Sequence, residues 1–376
     1  AAVRHAAEAA LQASEAQYRN TFEHAAVGIA HSSPEGRFLR CNLHLCSMVG
    51  YSADELTRMT ISEVTHPDDL SVDLVLRQRL LTGEMSSYQT EKRYVRKGGD
   101  VVWVRVVAGV VRDEAGAVDY RVAVIEDIHL RKLTRLALDA LNTELTGEAF
   151  LRHMTQTLVT LLGVEVAFIG EAAPTSTGRS TARAVWVDGQ FAPDFAYDLA
   201  GTPCAGVTDK EVHIHEQQVQ QRFPGAAMLA TMGIESYAAV LLGGATADGS
   251  PLGVLAILSR HPLRQVDAVK TLLPLLALRI GTELVREREA KKFRDLFDSS
   301  PSAIFLIDRH GTIHMSSRAG GRLFGWEGQA LIGQKLGILF PDEHRDAYEV
   351  LFRSFVEAHV SSKVDHGSKD IQVMRR

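Results

Sequence analysis

His213 and His215 flank Ile214, so on a strand both side chains would leave one face, the spacing of a two-histidine metal site. Cys204 is a third candidate ligand. No fourth is evident, and no metal site is expected. Asp68 and Asp69 are adjacent carboxylates, a pairing that suits the positive end of a helix better than an acid–base dyad. Gly243-Gly244 and Gly320-Gly321 are lone pairs that read as turns. The patterns G-x-S-x-G, G-x-x-x-x-G-K-[ST], H-E-x-x-H and C-x-x-C are all absent, so a nucleophile elbow, a phosphate loop and a standard zinc site have no support. No catalytic residue is assigned. Cys41, Cys46 and Cys204 are too few for a disulfide framework, and their odd count suits a reducing compartment, so a cytoplasmic location is expected.

The elements around these residues belong to more than one domain. A length of 376 residues predicts two or three. A net charge of −5, from 41 basic and 46 acidic side chains, argues against a general nucleic-acid binder. With 45% apolar and 23% charged residues the chain should fold rather than stay disordered. The longest apolar stretches, Val101–Val111 and Leu272–Ile280, are short or broken by Arg105 and Pro274, so no transmembrane helix is expected. The sequence opens at Ala1 inside an expected helix and stops at Arg375-Arg376 inside an expected strand. It is therefore expected to be part of a longer protein.

Two stretches repeat at a fixed offset of 275 residues (297 − 22): Arg19/Arg294, Phe22/Phe297, Ile29/Ile304, Gly36/Gly311, Gly50/Gly325 and Leu56/Leu331. Tyr51/Trp326 is an aromatic swap, and Pro67/Pro341 slips by one. Identities held in register over about 50 residues indicate a duplicated domain. In the first copy Val27–His31 and Arg37–Asn42 read as a hairpin around Ser33-Pro34-Glu35-Gly36. Ser52 and Glu55 form a capping box. Thr65 caps a second helix start before a helix carrying Leu70, Leu74, Leu80 and Leu81. Three strands follow, Tyr88–Arg96, Val101–Val111 and Tyr120–Glu126, with glycine turns at Gly98-Gly99 and Gly116. One helical layer on an antiparallel sheet is an α+β fold.

These residues resemble the PAS family: Tyr18-Arg19, Phe22, Gly28-Ile29, Gly36, Asn42, Gly50-Tyr51-Ser52, Glu55-Leu56, His66-Pro67-Asp68-Asp69, Arg93-Tyr94, Gly99, Trp103 and Glu126-Asp127-Ile128. The second copy is similar to PAS with Ser317 in place of Asn42. It stops near Arg376, aligned with Arg96, so its last two strands are expected to be missing. Between the copies, Phe150–Leu162 reads as a helix ending at Gly163, and Val164–Ile169, Ala182–Val187, Tyr237–Leu242 and Leu252–Leu258 read as strands around a turn-rich stretch at Asp248-Gly249-Ser250-Pro251. Asp267–Phe297 reads as a long helix kinked at Pro274. Leu199-Ala200-Gly201-Thr202-Pro203-Cys204, Arg222-Phe223-Pro224, Gly233-Ile234-Glu235-Ser236-Tyr237 and Leu252-Gly253-Val254-Leu255 make this segment similar to the GAF family. The fold class is then α+β, three tandem domains (PAS, GAF, incomplete PAS), each an antiparallel sheet with helices, joined by helical connectors. The divisions are a helical linker at 1–16, PAS at 17–129, a linker at 130–144, GAF at 145–285, a linker at 286–298 and incomplete PAS at 299–376.

The PAS and GAF resemblance implies a small ligand held between sheet and helices. Tyr94 and Trp103 in the first domain, and Cys204 and Tyr237 in the middle one, are the candidates. Flavin is not expected, because Thr60–Val64 lacks the reactive Cys of the flavin-binding class. Bilin is not expected, because Ala205 rather than His follows Cys204. Haem is not expected, because Tyr348 falls where an axial His would be needed, with His344 only nearby. The cofactor is unknown. Asp127 and Ile128 match the family's terminal signalling motif, with His129 in place of its Thr. Leu130, Leu133, Leu136 or Ala137, and Leu141 form one helical stripe. Leu276, Ile280 and Leu284 form another, a candidate homodimer seam running into Arg286-Glu287-Arg288-Glu289. The resemblance implies a sensory input region that passes a ligand or partner signal through dimeric helices to a downstream output domain. A sensor histidine kinase is the first expectation. A diguanylate cyclase or phosphodiesterase of cyclic di-GMP, or a scaffold that dimerises without a ligand, are the alternatives.

Overall fold

The computed structural model describes residues 2–172, 178–243, 251–326 and 330–361. The turn at 248–250 and the end of the second copy beyond 361 fall outside them. The chain is an α+β protein built on antiparallel sheets. It divides into two units, Ala1–Leu242 with Gly253–Arg279, and Gly243–Leu252 with Ile280–Arg376.

The first unit opens with helix α1 (Ala2–Glu23), then strands β1 (Gly28–Ser32) and β2 (Phe38–Cys41). Four helices follow, α2 (Leu43–Val49), α3 (Ala53–Leu56), α4 (Ile61–Val64) and α5 (Leu70–Leu81), then β3 (Ser87–Val95), β4 (Val101–Arg112) and β5 (Val118–Asp127). The strands form one antiparallel sheet in the order β2-β1-β5-β4-β3. Ser52 and Glu55 make the expected capping box, and Thr60 with Glu63 makes a second. Thr65 does not act as a cap. Its hydroxyl is buried and donates to Ile61 O at 2.7 Å, while His66 Nδ1 accepts from Asp68 N at the start of the 67–69 turn. Helix α5 turns its polar side inward: Asp73, Arg77 and Leu80 are buried, and Leu74 is 52% exposed.

Strand β5 passes within two residues into α6 (His129–Leu141), which packs on α7 (Gly147–Leu162). Gly163 closes α7 in the left-handed conformation. A second antiparallel sheet holds β6 (Val166–Ala172), β7 (Arg179–Val187), β8 (Gln190–Phe191), β9 (Phe195–Asp198), β10 (His213–His215), β11 (Ser236–Leu241) and β12 (Gly253–Ser259). Its order is β10-β11-β12-β6-β7-β8, with β9 on β7. Two short helices, α8 (Val219–Arg222) and α9 (Ala227–Thr231), cover its interior. Gly253 has φ +145°, and a Cβ there would fall 2.0 Å from Gly170 O, so β12 can approach β6 only without a side chain.

Helix α10 (Val266–Ser299) is continuous, with Pro274 inside it. In the second unit it leads to β13 (Phe305–Ile307), β14 (Ile313–Ser316), α11 (Arg318–Phe324) and α12 (Asp342–Ser361). The duplication is visible bond by bond. Phe305 pairs with Ser316 as Ala30 pairs with Cys41, and Thr312 bridges Lys335 as Arg37 bridges Thr60. Asn42 Oδ1 accepts from Ile29 N and Leu45 N, and Ser317 Oγ accepts from Ile304 N and Gly320 N. Gly50 and Gly325 both end their helices with positive φ.

Candidate functional site

Along β3 every second residue faces α5, which places Tyr88, Thr90, Lys92 and Tyr94 on the inner face. Arg121 of β5 joins them. Asp73, Arg77, Lys92 and Arg121 are each less than 7% exposed, so the space between α5 and the sheet is filled by charge as well as by apolar packing. Lys92 donates to Asp73 through a short bond and to Thr65 Oγ1 at 3.3 Å. Arg77 Nε lies 3.1 Å from Asp73 Oδ2, an ion pair by distance but not aligned as a hydrogen bond. Arg77 Nη2 donates to Ser62 Oγ at 2.9 Å. Arg121 Nη2 donates to Tyr88 Oη at 3.2 Å, while its Nε and Nη1 have no hydrogen-bond acceptor. Burial pushes the Lys92 ammonium down to about 8 and raises the Tyr88 and Tyr94 phenols. The phenols therefore stay neutral donors at neutral pH.

Tyr94 lies in this interior, 3% exposed. Trp103 does not; it sits on the opposite face of the sheet. There Arg93 and Lys132 stack over its ring at 5.4 and 4.9 Å. Trp103 belongs instead to the junction where β5 becomes α6. Ile128 N donates to Trp103 O at 3.0 Å, and Asp127 Oδ1 accepts from His129 N at 2.8 Å. The His129 ring adds two more. Trp103 N reaches its Nδ1 at 3.4 Å, which fixes Nδ1 as acceptor, so Nε2–H donates to Gln265 Oε1 at 3.1 Å. Arg264 donates to Asp100 Oδ2 at 2.9 Å and to Gly98 O at 3.2 Å. These groups border a cleft of about 580 Å³ that also touches Leu133 and Gly163.

In the middle segment Cys204 and Tyr237 meet. Tyr237 Oη donates to Cys204 Sγ at 3.2 Å, and Tyr197 Oη approaches it at 3.8 Å. Burial raises the thiol and both phenols, so the cluster is a neutral, hydrogen-bonded part of the packed core rather than a nucleophile. His213 does not join Cys204; its Nε2 pairs with Asp209 Oδ1 at 2.9 Å. His215 packs on Phe223 and Tyr237.

Leu276, Ile280 and Leu284 are fully buried within the single chain. Their stripe is core packing of α10 that needs no second copy. The exposed apolar side chains of that helix are Leu278, Phe293 and Leu296.

Sequence reasoning missed Asp73, Arg77, Lys92 and Arg121. Two signals were present: an Asp and an Arg four apart on one helix face, and a Lys two residues before Tyr94 on a strand.

A family model described as PAS fold matches residues 38–125, and a second matches residues 291–370, so the chain carries two PAS domains. A probable diguanylate cyclase of Escherichia coli, DgcE, is 40% identical over 124 residues, 33% of this chain and 11% of its own length. The sensor histidine kinase TmoS of Ectopseudomonas mendocina is 26% identical over 136 residues, 36% of this chain and 14% of its own. The sensor protein FixL of Bradyrhizobium diazoefficiens is 37% identical over 79 residues, 20% of this chain and 15% of its own. The chain therefore spans less than a sixth of each of these relatives. No helix among the described residues is long and apolar enough to cross a membrane.

Proposed function

We propose that the chain is the sensory input region of a multidomain signalling protein of the cytoplasm, with PAS at 17–129, GAF at 145–285 and a second PAS at 299–376. The GAF assignment is supported by the motifs around Cys204 and Tyr237 and by an antiparallel sheet enclosing a neutral interior between them. A small ligand occupies the first domain beside Tyr94. The single observation that carries the reading is the exit from that domain. Strand β5 holds Arg121 and Ile125 on the interior face and continues through Asp127, Ile128 and His129 into α6. A ligand that favours one position of β5 thereby biases the helix, and a bias of about 1–3 kcal/mol is typical of such coupling.

A sensor histidine kinase is one output for this input. The 40% identity to a named diguanylate cyclase favours the second, a cyclic di-GMP enzyme. In either case the chemistry lies in another module. Incubated with Mg²⁺ and ATP or GTP, these 376 residues should show neither autophosphorylation nor a cyclic dinucleotide. Turnover by this chain alone would sink the input-region reading.

The protein is proposed to act as a homodimer, with the seam on exposed apolar side chains of its helices rather than on Leu276, Ile280 and Leu284. Light scattering at tens of micromolar should give twice the chain mass, and Phe293→Glu with Leu296→Glu should lower it. An unchanged mass would place the seam elsewhere, as on Leu11 and Tyr18 of α1.

A further inference from the structure

We propose that the interior of the first PAS domain binds a small oxyanion, a carboxylate or a phosphate, through Arg121, Lys92 and the Tyr88 hydroxyl. The inference rests on the reading that this domain takes a ligand and names its chemistry. Three buried cations, Arg77, Lys92 and Arg121, face one buried carboxylate, Asp73. The other polar groups against them, Thr65, Ser62, Tyr88 and Tyr94, are neutral. A guanidinium does not discharge inside a protein, so an excess of positive charge stays in the core.

Arg121 shows where the anion belongs. It is 2% exposed, its Nη2 is committed to Tyr88, and its Nε and Nη1 donors have no acceptor. Tyr88 Oη accepts from Arg121, which leaves its own O–H free to donate to the same anion. The Lys92 ammonium has two of its three donors committed, to Asp73 and Thr65. Charged donors converging on one anion make the short, strong class of hydrogen bond. From the surface, a cleft of about 110 Å³ between α5 and β3 reaches Asp73 and Lys92. At roughly 30 Å³ for each water-sized group, it admits only a small molecule. The acids at its mouth are already paired, Asp68 and Asp69 with Arg93 and Glu91 with Lys132.

The duplicated domain is the internal control. Phe352 packs against Gly311 in the second copy, as Arg77 packs against Gly36 in the first. One turn earlier, Tyr348 stacks on Phe340 and Phe352. The equivalent helix positions carry aromatic rings there, so the repeat does not preserve the Asp73–Arg77 pair.

Calorimetric titration of the whole chain at pH 7 with sodium phosphate, with sodium malonate and with sodium chloride at matched ionic strength tests the assignment. Saturable binding of phosphate alone identifies a phosphate ligand, and of malonate alone a carboxylate; either supports the inference, and chloride should give none. Arg121→Met should weaken the binding at least 100-fold. Tyr88→Phe, which removes only the hydroxyl, should weaken it about 5–10-fold and keeps the test sound if the arginine variant unfolds. Absence of saturable binding by both oxyanions overturns the proposal. In that event, a neutral molecule found by native mass spectrometry leaves the ligand-sensing reading standing, and a bare chain with a more stable Arg121→Met variant removes that reading too.

Discussion

Asp73→Asn should destabilise the first PAS domain by about 3–5 kcal/mol, the cost of leaving a buried charge unpaired. The substitution keeps the shape of the side chain and removes the one carboxylate that faces Arg77, Lys92 and Arg121. Because the chain holds several cooperative units, the readout should be local. Hydrogen exchange at the Val104 and Ile125 amides in the sheet interior should speed up by two orders of magnitude or more, while the amides of β13 and β14 stay unchanged. The pH dependence supplies a second check with a defined sign. In the folded domain Lys92 loses its proton at about 8, below the ordinary lysine value of 10.5, so unfolding takes up a proton between those limits. Stability should therefore rise as pH passes 8, level off above pH 9, where Cys41, pushed up to about 12 by burial, offsets the gain, and fall above 10.5, where the Lys92 contribution has ended. Without the Asp73 carboxylate Lys92 should discharge earlier, and the rise should begin below pH 8. A variant whose amides exchange at the original rate would show that water or an anion already balances the cluster.

What the sequence revealed and what it hid follow from the same physical rules. The duplication was legible because its identities sit where backbone geometry leaves little choice: Gly50 and Gly325 at positive φ, Phe22 and Phe297 in the core. The strands of the middle sheet were legible where they are long and apolar, as β11 and β12 are. Strands β8, β9 and β10 have two to four residues each and follow no alternation long enough to read. The charged interior was hidden by a reasonable preference for leucine as core. On α5 the apolar residues Val72, Leu74 and Val75 point outward, and the inward face is Asp73 and Arg77. Strand periodicity could have corrected this. Once Tyr94 is assigned to the inner face of β3, a period of two commits Lys92 to it as well. The same period, applied across the β3–β4 register that pairs Arg93 with Trp103, sends Trp103 outward to the junction with α6. Cys204 and Tyr237 were found separately, from different motifs, and the fold brings them within hydrogen-bonding distance.

Asn42→Ala should be comparably damaging, and its effect should reach the incoming helix. Asn42 is fully buried and uses all of its amide. Oδ1 accepts from Ile29 N and Leu45 N, and Nδ2 donates to Phe22 O and Val27 O, each at 2.9–3.0 Å. One side chain thus caps α2, holds β1 and ties down the end of α1. At about 1 kcal/mol for each lost bond, with the partners left buried, Asn42→Ala should cost roughly 3–5 kcal/mol. The second copy defines a graded test. Ser317 accepts from Ile304 N and Gly320 N and donates to Ser302 O, the three bonds equivalent to all but the one Asn42 makes to Phe22 O. A hydroxyl has a single proton to give, so it cannot hold both carbonyls. Asn42→Ser should therefore keep α2 and β1 in place at a cost of about 1 kcal/mol and release the end of α1 selectively. Exchange at the amides of 20–24 should then rise without a matching change at Leu45. Equal loosening of α1, β1 and α2 in Asn42→Ser would show that the bond to Phe22 is not a separable link between the incoming helix and the domain.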